Sequence, residues 1–444
     1  MKKQFLFISM FPIVAFSQIF PTQKLNQEIE KDNPRIVEIF KKIHQNPELG
    51  FMETETAALI ASEFKKYGYI TKTGIGKTGV VGIMKNGNGP TVMYRADMDA
   101  NAVKETTNLP YKSTKIVTKE DGTITPVAHM CGHDAHVAWM IAAAKVMAEN
   151  KNLWKGTLVF VGQPAEELIE GAEAMVQDGL YTKYNVPEPD YLYGMHTAPF
   201  ATGMIAAATG IRMAGTDQLD VTFTGIGGHG SMPQFTKDPV VMAANAIMNY
   251  QTIPSRMIDP KNAVVLTIGS VQAGVDNNVI PKNALIKANL RWFNEKDRYT
   301  MIDAIQRINN GIALQNNLPN ELYPTLKRKG WSYPLDNSKE LTEVVRQGLK
   351  DNMKISHLLT EDEMSTTMGS EDFHHLVIHN KKKNYCYVNI GIAEPARFEK
   401  SFKERQAPPF NNHNGDFEVD LNSIPYGSKA AVFGLLSIFN HYKH

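Results

Sequence analysis

Apolar residues recur every three to four positions in the early chain, at Ile36, Ile39, Phe40 and Ile43, then Ala57, Ala58, Ile60, Ala61 and Phe64. That period predicts helix from Asn33 to about Tyr69. Beyond it the period shortens. TGVVGIM and PTVMYRADMDA read as strands separated by the turn residues NGNG. The pattern then alternates: helix in HVAWMIAAAKVMAEN, strand in GTLVFVGQPAEE, helix through GAEAMVQDGL, strand in PDYLYGMHTAP. Alternation of this kind predicts an α/β sheet layered by helices, in which ligands gather beyond the carboxyl ends of the strands. Three of these strands end in metal-binding or proton-moving side chains: Asp97 and Asp99, Glu166 and Glu167, and His196.

The middle of the chain has another rhythm. DQLDVTFTG alternates as a strand, and DPVVMAANAIMNY is a helix with Asp238 as N-cap and Pro239 in the first position. Two strands follow, AVVLTIGSVQ and ALIKANLRWF, then a helix opening at Asn294 and a last strand, ELYPTLKR. The order β-α-β-β-α-β is the split βαβ, or ferredoxin-like, arrangement. It occupies residues 214–327, so a small domain is inserted between 18–213 and 328–444 of a larger α/β domain.

Composition adds exclusions. With 47 Lys+Arg against 46 Asp+Glu, the 444-residue chain has a formal charge of +1 and no long single-sign block, which gives nucleic acid no electrostatic footing. Lys2 and Lys3 precede an apolar run from Phe5 to Phe16, with Ala15 and Ser17 before a cleavage point. This reads as a signal peptide over 1–17, and predicts a periplasmic or secreted product. The run is shorter than the ~20 residues a membrane span needs, and no later segment is apolar enough to cross. Export permits a disulfide between the two cysteines, Cys131 and Cys386. Cys386, flanked by tyrosines in a strand-like run, is expected to be a buried apolar residue.

The densest chemistry lies in VAHMCGHDAHVAW, residues 127–139. Cysteine, histidine and carboxylate form the ligand set of zinc-like ions, and Gly132 lets the backbone turn so that Cys131 and His133 face one centre. His129 and His136 can be structural neighbours. Glu166 and Glu167 can be solvated carboxylates at a helix start. Alternatively, one binds metal and the other takes a proton from a metal-acidified water. A thiol hydrolase with Cys131 as nucleophile and a non-catalytic binding protein are the competing classes.

RADMD, HMCGHDAH, QPAEE, GMHT, GGHGSMP, NVIP, GSEDF and HNGDF follow one another at spacings that resemble the M20 metallopeptidase clan. The likeness is to its amidohydrolase branch of N-acyl-amino-acid, auxin-conjugate and hippurate hydrolases, and covers nearly all of the mature chain. The resemblance implies a mixed-sheet, two-metal exopeptidase-like catalytic domain interrupted by a lid that dimerises. It implies Cys131, His133, Glu167, His196 and His413 as ligands of two divalent ions, with Zn, Mn, Ni and Co not separable by ligand type. Glu166 becomes the general base and Asp99 the carboxylate orienting a ligand histidine. His229 stabilises the oxyanion, from the same or a neighbouring subunit, while Asn278 and Arg291 hold the substrate. The implied reaction is hydrolysis of N-acyl amino acids or small peptides with a free carboxylate, a carboxypeptidase or dipeptidase being the variant on the same scaffold. Two departures stand out. Asn101-Ala102 replaces the branch's usual Leu-Pro, and HNGDF replaces His-Ser-Pro-x-Phe around His413.

Overall fold

The structure, a computed structural model, describes residues 20–119, 122–379 and 384–442. The expected signal segment lies outside the described residues. Strands β1 (Ile70–Ile75), β2 (Gly79–Asn86), β3 (Thr91–Asp97), β4 (Gly156–Gln163), β5 (Tyr191–Ala201) and β6 (Met204–Ala206) come first. An inserted set follows, β7 (Gly215–Thr224), β8 (Val265–Ala273), β9 (Asn283–Trp292) and β10 (Thr325–Ser332), and then β11 (His357–Leu359) and β12 (Tyr385–Ala393). Among the described residues the main sheet has the order β1-β2-β4-β3-β5-β12-β6-β11. It is mixed: β3, β4, β5 and β12 are parallel to their neighbours in this group, while β1 and β2 run antiparallel.

Alternation along the central strands decides what covers each face. In β3 and β4, Val92, Tyr94, Ala96, Leu158 and Phe160 join the core under three long helices. These are α1 (Thr22–Gln45), α3 (His133–Glu149) and the C-terminal Ser423–His441. Met93, Val159 and Val161 point the other way, against the short helix Gly171–Gln177 and the turn at Phe373–Val377. Helix α3 is apolar almost all round and correspondingly buried.

The helical stretch predicted over 33–69 is broken. Helix α1 ends at Gln45, because Pro47 disfavours helical geometry in Asn46. A second helix, α2 (Thr54–Lys66), starts where Glu48 accepts the backbone N–H groups of Glu55 and Thr56, at 3.0 and 2.8 Å.

The inserted sheet is wholly antiparallel with order β8-β9-β7-β10, the ferredoxin-like arrangement, and the helices Pro239–Tyr250 and Glu295–Gln315 help close its separate core. Asp238 and Asn294 cap those helices by accepting from Val240 N and Asp297 N. Its last strand runs past Lys327 to Ser332, because Thr216 and Asp217 of β7 pair with Ser332 and Trp331. No described helix is long and apolar enough to cross a membrane.

Candidate metal centre

Parallel register brings the expected strand ends to one level. Asp97 pairs with Gln163 and Arg95 with Gly194, which carries Asp97 and His196 forward together. His196 is not at its strand's end: β5 continues to Ala201, supported by β12. Beneath this level Arg95 is buried. It donates to Gln163 Oε1 at 2.8 Å, Asp97 Oδ2 at 2.5 Å, Glu371 Oε1 at 2.8 Å and Asp372 Oδ1 at 3.2 Å. Tyr387 donates its hydroxyl to Glu371. One guanidinium thus faces three carboxylates. Burial is the first reason the Asp372 carboxyl stands at about 7. The arrangement leaves a surplus of negative charge directly below the cavity.

Gly132 makes the turn between Cys131 and α3. It has φ +82°, and a Cβ there would meet Thr197 atoms at 2.6 Å. Thr197 fits so closely because its hydroxyl donates to Cys131 O at 2.7 Å and its N–H to His136 Nε2 at 2.8 Å. His136 Nδ1 in turn donates to Asp97 Oδ1 at 2.5 Å. Both nitrogens of His136 are therefore used, and burial holds the ring near 4 and neutral. His136 thus braces the centre through Asp97 and Thr197, although its ring also falls in a ligand group with Asp97, His133 and His196.

Glu166 and Glu167 lie on a short turn bracketed by Ala165 and Ile169, both in the left-handed region at φ 50° and 54°. For a β-branched isoleucine that conformation is strained, and such strain gathers at functional sites. Two buried carboxylates hold the turn: Glu53 accepts Ala165 N–H at 2.8 Å, and Asp99 Oδ2 accepts Glu167 N–H at 3.0 Å. Asp99 Oδ1 also takes the Nδ1–H of His133 at 3.3 Å, so one aspartate orients two of the expected ligands.

What remains free then points inward. His133 Nε2 lies 3.8 Å from carboxylate oxygens of Asp97, Glu166 and Glu167. Both His133 Nε2 and Glu167 Oε1 are buried without a hydrogen-bond partner. Glu167 Oε2 reaches His413 Nε2 at 3.2 Å. Cys131 Sγ lies 3.5 Å from His196 Nε2, and Asn412 donates to it at 3.3 Å. Ligand atoms of Cys131, Glu167 and His413 all fall within 4.8 Å of one another, as do those of His133, Glu166 and Glu167. Orphaned inward atoms, soft and hard donors together, and surplus negative charge fit divalent cations.

The candidate ligands charge one another: His196 and His413 are raised to about 9 and about 10, and the thiol and one carboxylate fall. Burial and Glu167 push the Cys131 thiol up, but His196 and His133 outweigh them and bring it to about 5. Burial raises Glu167, yet the bond from His413 and the charge of His133 bring it to about 2. Burial, then the Glu371 and Glu167 carboxylates, hold Glu166 well above the usual carboxylate range.

The centre opens into a cavity of about 670 Å³ lined by Cys131, Glu166, Glu167, His196, His413 and Arg291 among others. Arg291, on β9, donates to Asn289 at 2.7 Å and also to Ser370. His229 and Asn278 do not line it. They sit exposed on a two-stranded ribbon of the inserted unit, where Gly230 N–H bonds to Asn278 O at 2.8 Å. Neither cysteine is bridged, and Cys386 is buried in β12 as expected.

Several residues that build the centre were not singled out from sequence. Arg95, in the middle of an apolar strand, and the acidic pair of GSEDF carried a signal. Glu53 and Asn412 carried none, being an ordinary glutamate at a helix start and an asparagine among asparagines. Asn101, the departure noted above, accepts Met130 N–H at 3.1 Å and pairs with Ala128 through its backbone, so it clamps the segment that presents Cys131.

The sequence profile described as peptidase family M20/M25/M40 matches residues 93–401. The chain is 42% identical over 279 residues to the hippurate hydrolase of Campylobacter jejuni, covering 62% of this chain and 69% of that protein. It is 35% identical over 413 residues to the Arabidopsis thaliana protein IAA-amino acid hydrolase ILR1-like 2, covering 91% and 84%. Among solved structures, the Bacillus subtilis YXEP protein, a dinuclear metal binding peptidase from the M20 family, superposes with a TM-score of 0.66. That match has 24% identity and covers 93% of this chain and 99% of that one.

Proposed function

The chain belongs to peptidase family M20/M25/M40, and from that premise we propose that it is a two-metal amidohydrolase cleaving the amide of N-acyl amino acids or small peptides that bear a free carboxylate. One observation carries the reading. The ligand groups Cys131–Glu167–His413 and His133–Glu166–Glu167 share Glu167, so one carboxylate belongs to two neighbouring clusters, each of which could take a cation. Cys131, His133, Glu167, His196 and His413 would hold the ions, and the names of the similar hydrolases support the substrate class. When bound, divalent ions supply Lewis acidity that polarises an amide carbonyl and acidifies an attacking water.

The remaining work falls to this chain's side chains. Glu166 accepts a proton from the attacking water and delivers it to the amine nitrogen as the C–N bond breaks. Asp99 keeps His133 and the Glu167 backbone aligned. Arg291 receives the carboxylate of the amino-acid moiety, where a planar fork gives two parallel bonds. His229 and Asn278 reach a cavity from the ribbon of a second copy of the chain, so the proposal includes a homodimer through the inserted lid at 214–327. Export rests on the N-terminal segment. Replacing Glu166 with Gln is expected to retain bound metal and reduce hydrolysis of N-acyl amino acids by about 10²–10⁴-fold. Wild-type turnover in that variant removes Glu166 from the mechanism.

A further inference from the structure

Charges withdrawn from water inside a folded chain are normally paired, because an unpaired one loses hydration with nothing to replace it. Arg35, Arg95, Arg298, Arg346 and Arg397 each reach a carboxylate. Two half-buried arginines lining the large cavity do not. Among the described residues neither Arg291 nor Arg212 forms an ion pair: their hydrogen-bond partners are neutral, and the only carboxylate whose charge Arg291 feels is that of Glu166, across the same cavity. Arg291 is held by Asn289 and Ser370. Arg212 donates one Nη1 bond to the Met364 carbonyl at 2.9 Å, while its Nε is buried without an acceptor.

The two guanidinium groups come from different elements. Arg291 lies on β9, and Arg212 on the short strand Gly210–Met213, which leads into the inserted sheet and pairs with Leu335–Asn337. A substrate with a single carboxylate satisfies Arg291 and leaves Arg212 without a counter-charge. We propose that the substrate carries two anionic groups, the second a carboxylate received by Arg212; this rests on the amidohydrolase reading above. The second carboxylate belongs either to an acidic amino-acid moiety or to a dicarboxylic acyl group.

Metal-loaded enzyme assayed on matched pairs separates these sources. N-acetylglutamate against N-acetylglutamine tests the amino-acid side, and N-succinylalanine against N-butyrylalanine tests the acyl side. At least one doubly charged member is expected to be preferred in kcat/KM by about tenfold, the worth of a charge-assisted hydrogen bond. In Arg212→Gln that ratio falls toward one, mainly through KM, and Arg212→Lys restores part of it. A residue that merely held the Met364 loop would affect both members of a pair alike. Ratios near one in the wild type, or a preference that survives Arg212→Gln, overturn the proposal. Calorimetric binding of glutarate against butyrate keeps the two readings distinguishable. If no N-acyl compound is cleaved, the hydrolase reading fails. Tighter glutarate binding that depends on Arg212 then still upholds two-anion recognition, and equal binding refutes it.

Discussion

Cys131 can act in two chemically different ways, as ligand or as nucleophile, since a thiol brought to about 5 beside His196 suits both. Its surroundings favour the first role. Its sulfur shares a cluster with Glu167 and His413, neither of which a thiol hydrolase needs. Cys131→Ala is therefore expected to weaken metal binding by more than the 10–100-fold usual for outer partners, read as metal content per chain after dialysis. Full metal content with lost activity would instead support a nucleophilic thiol. At this scale the sequence was informative where residue type alone restricts chemistry, as in Cys131, His196 and His413, which line the cavity, though not in His229, which does not. It was silent where an ordinary residue becomes functional only through burial, as with Glu53, which is fully buried under Ala165 and raised to about 7 first by that burial and then by Asp99.

Elements were legible wherever a hydrophobic period ran unbroken. The inserted β-α-β-β-α-β set emerged in order because β7 and β9 alternate and both helices carry a side-chain cap. Breaks were harder to read: the helix predicted over 33–69 splits at Asn46-Pro47, and the strand bearing His196 runs on because a neighbour supports it. The turn entering α3 depends on one backbone angle and one contact. Gly132→Ala must place a Cβ at φ +82° against Thr197, and Thr197 holds both Cys131 and His136. The expected loss is roughly 1–3 kcal/mol of unfolding free energy together with reduced metal content. Wild-type melting and metal content in this variant would remove the turn from the account of the centre.

Across the whole molecule, the first helix and the centre are joined by a buried ionic link whose members do not line the cavity. His44, near the end of α1, donates from Nδ1 to Asp134 Oδ2 at 2.6 Å and faces Glu105 Oε1 at 3.3 Å. Asp134 follows the ligand candidate His133 on α3, while Glu105 anchors the loop containing Ser113 through its backbone N–H at 2.6 Å. Burial opposes a charge on His44, but its bonds to Asp134 and Glu105 prevail and raise the ring from 6.5 to about 9. A folded-state value above the unfolded one means that the stabilisation is fully present below pH 6.5 and is lost as pH rises through about 9. The two carboxylates are shifted downward, so their contribution disappears only in acid. Stability is therefore expected to fall between pH 6.5 and 9 by roughly 3 kcal/mol. In His44→Asn the protein should be weaker at pH 6 but lack that part of the alkaline decline. Denaturant unfolding of both proteins across this range, without added metal, measures the difference. Parallel curves would show that the link between α1 and α3 does not hold its proton as the geometry requires.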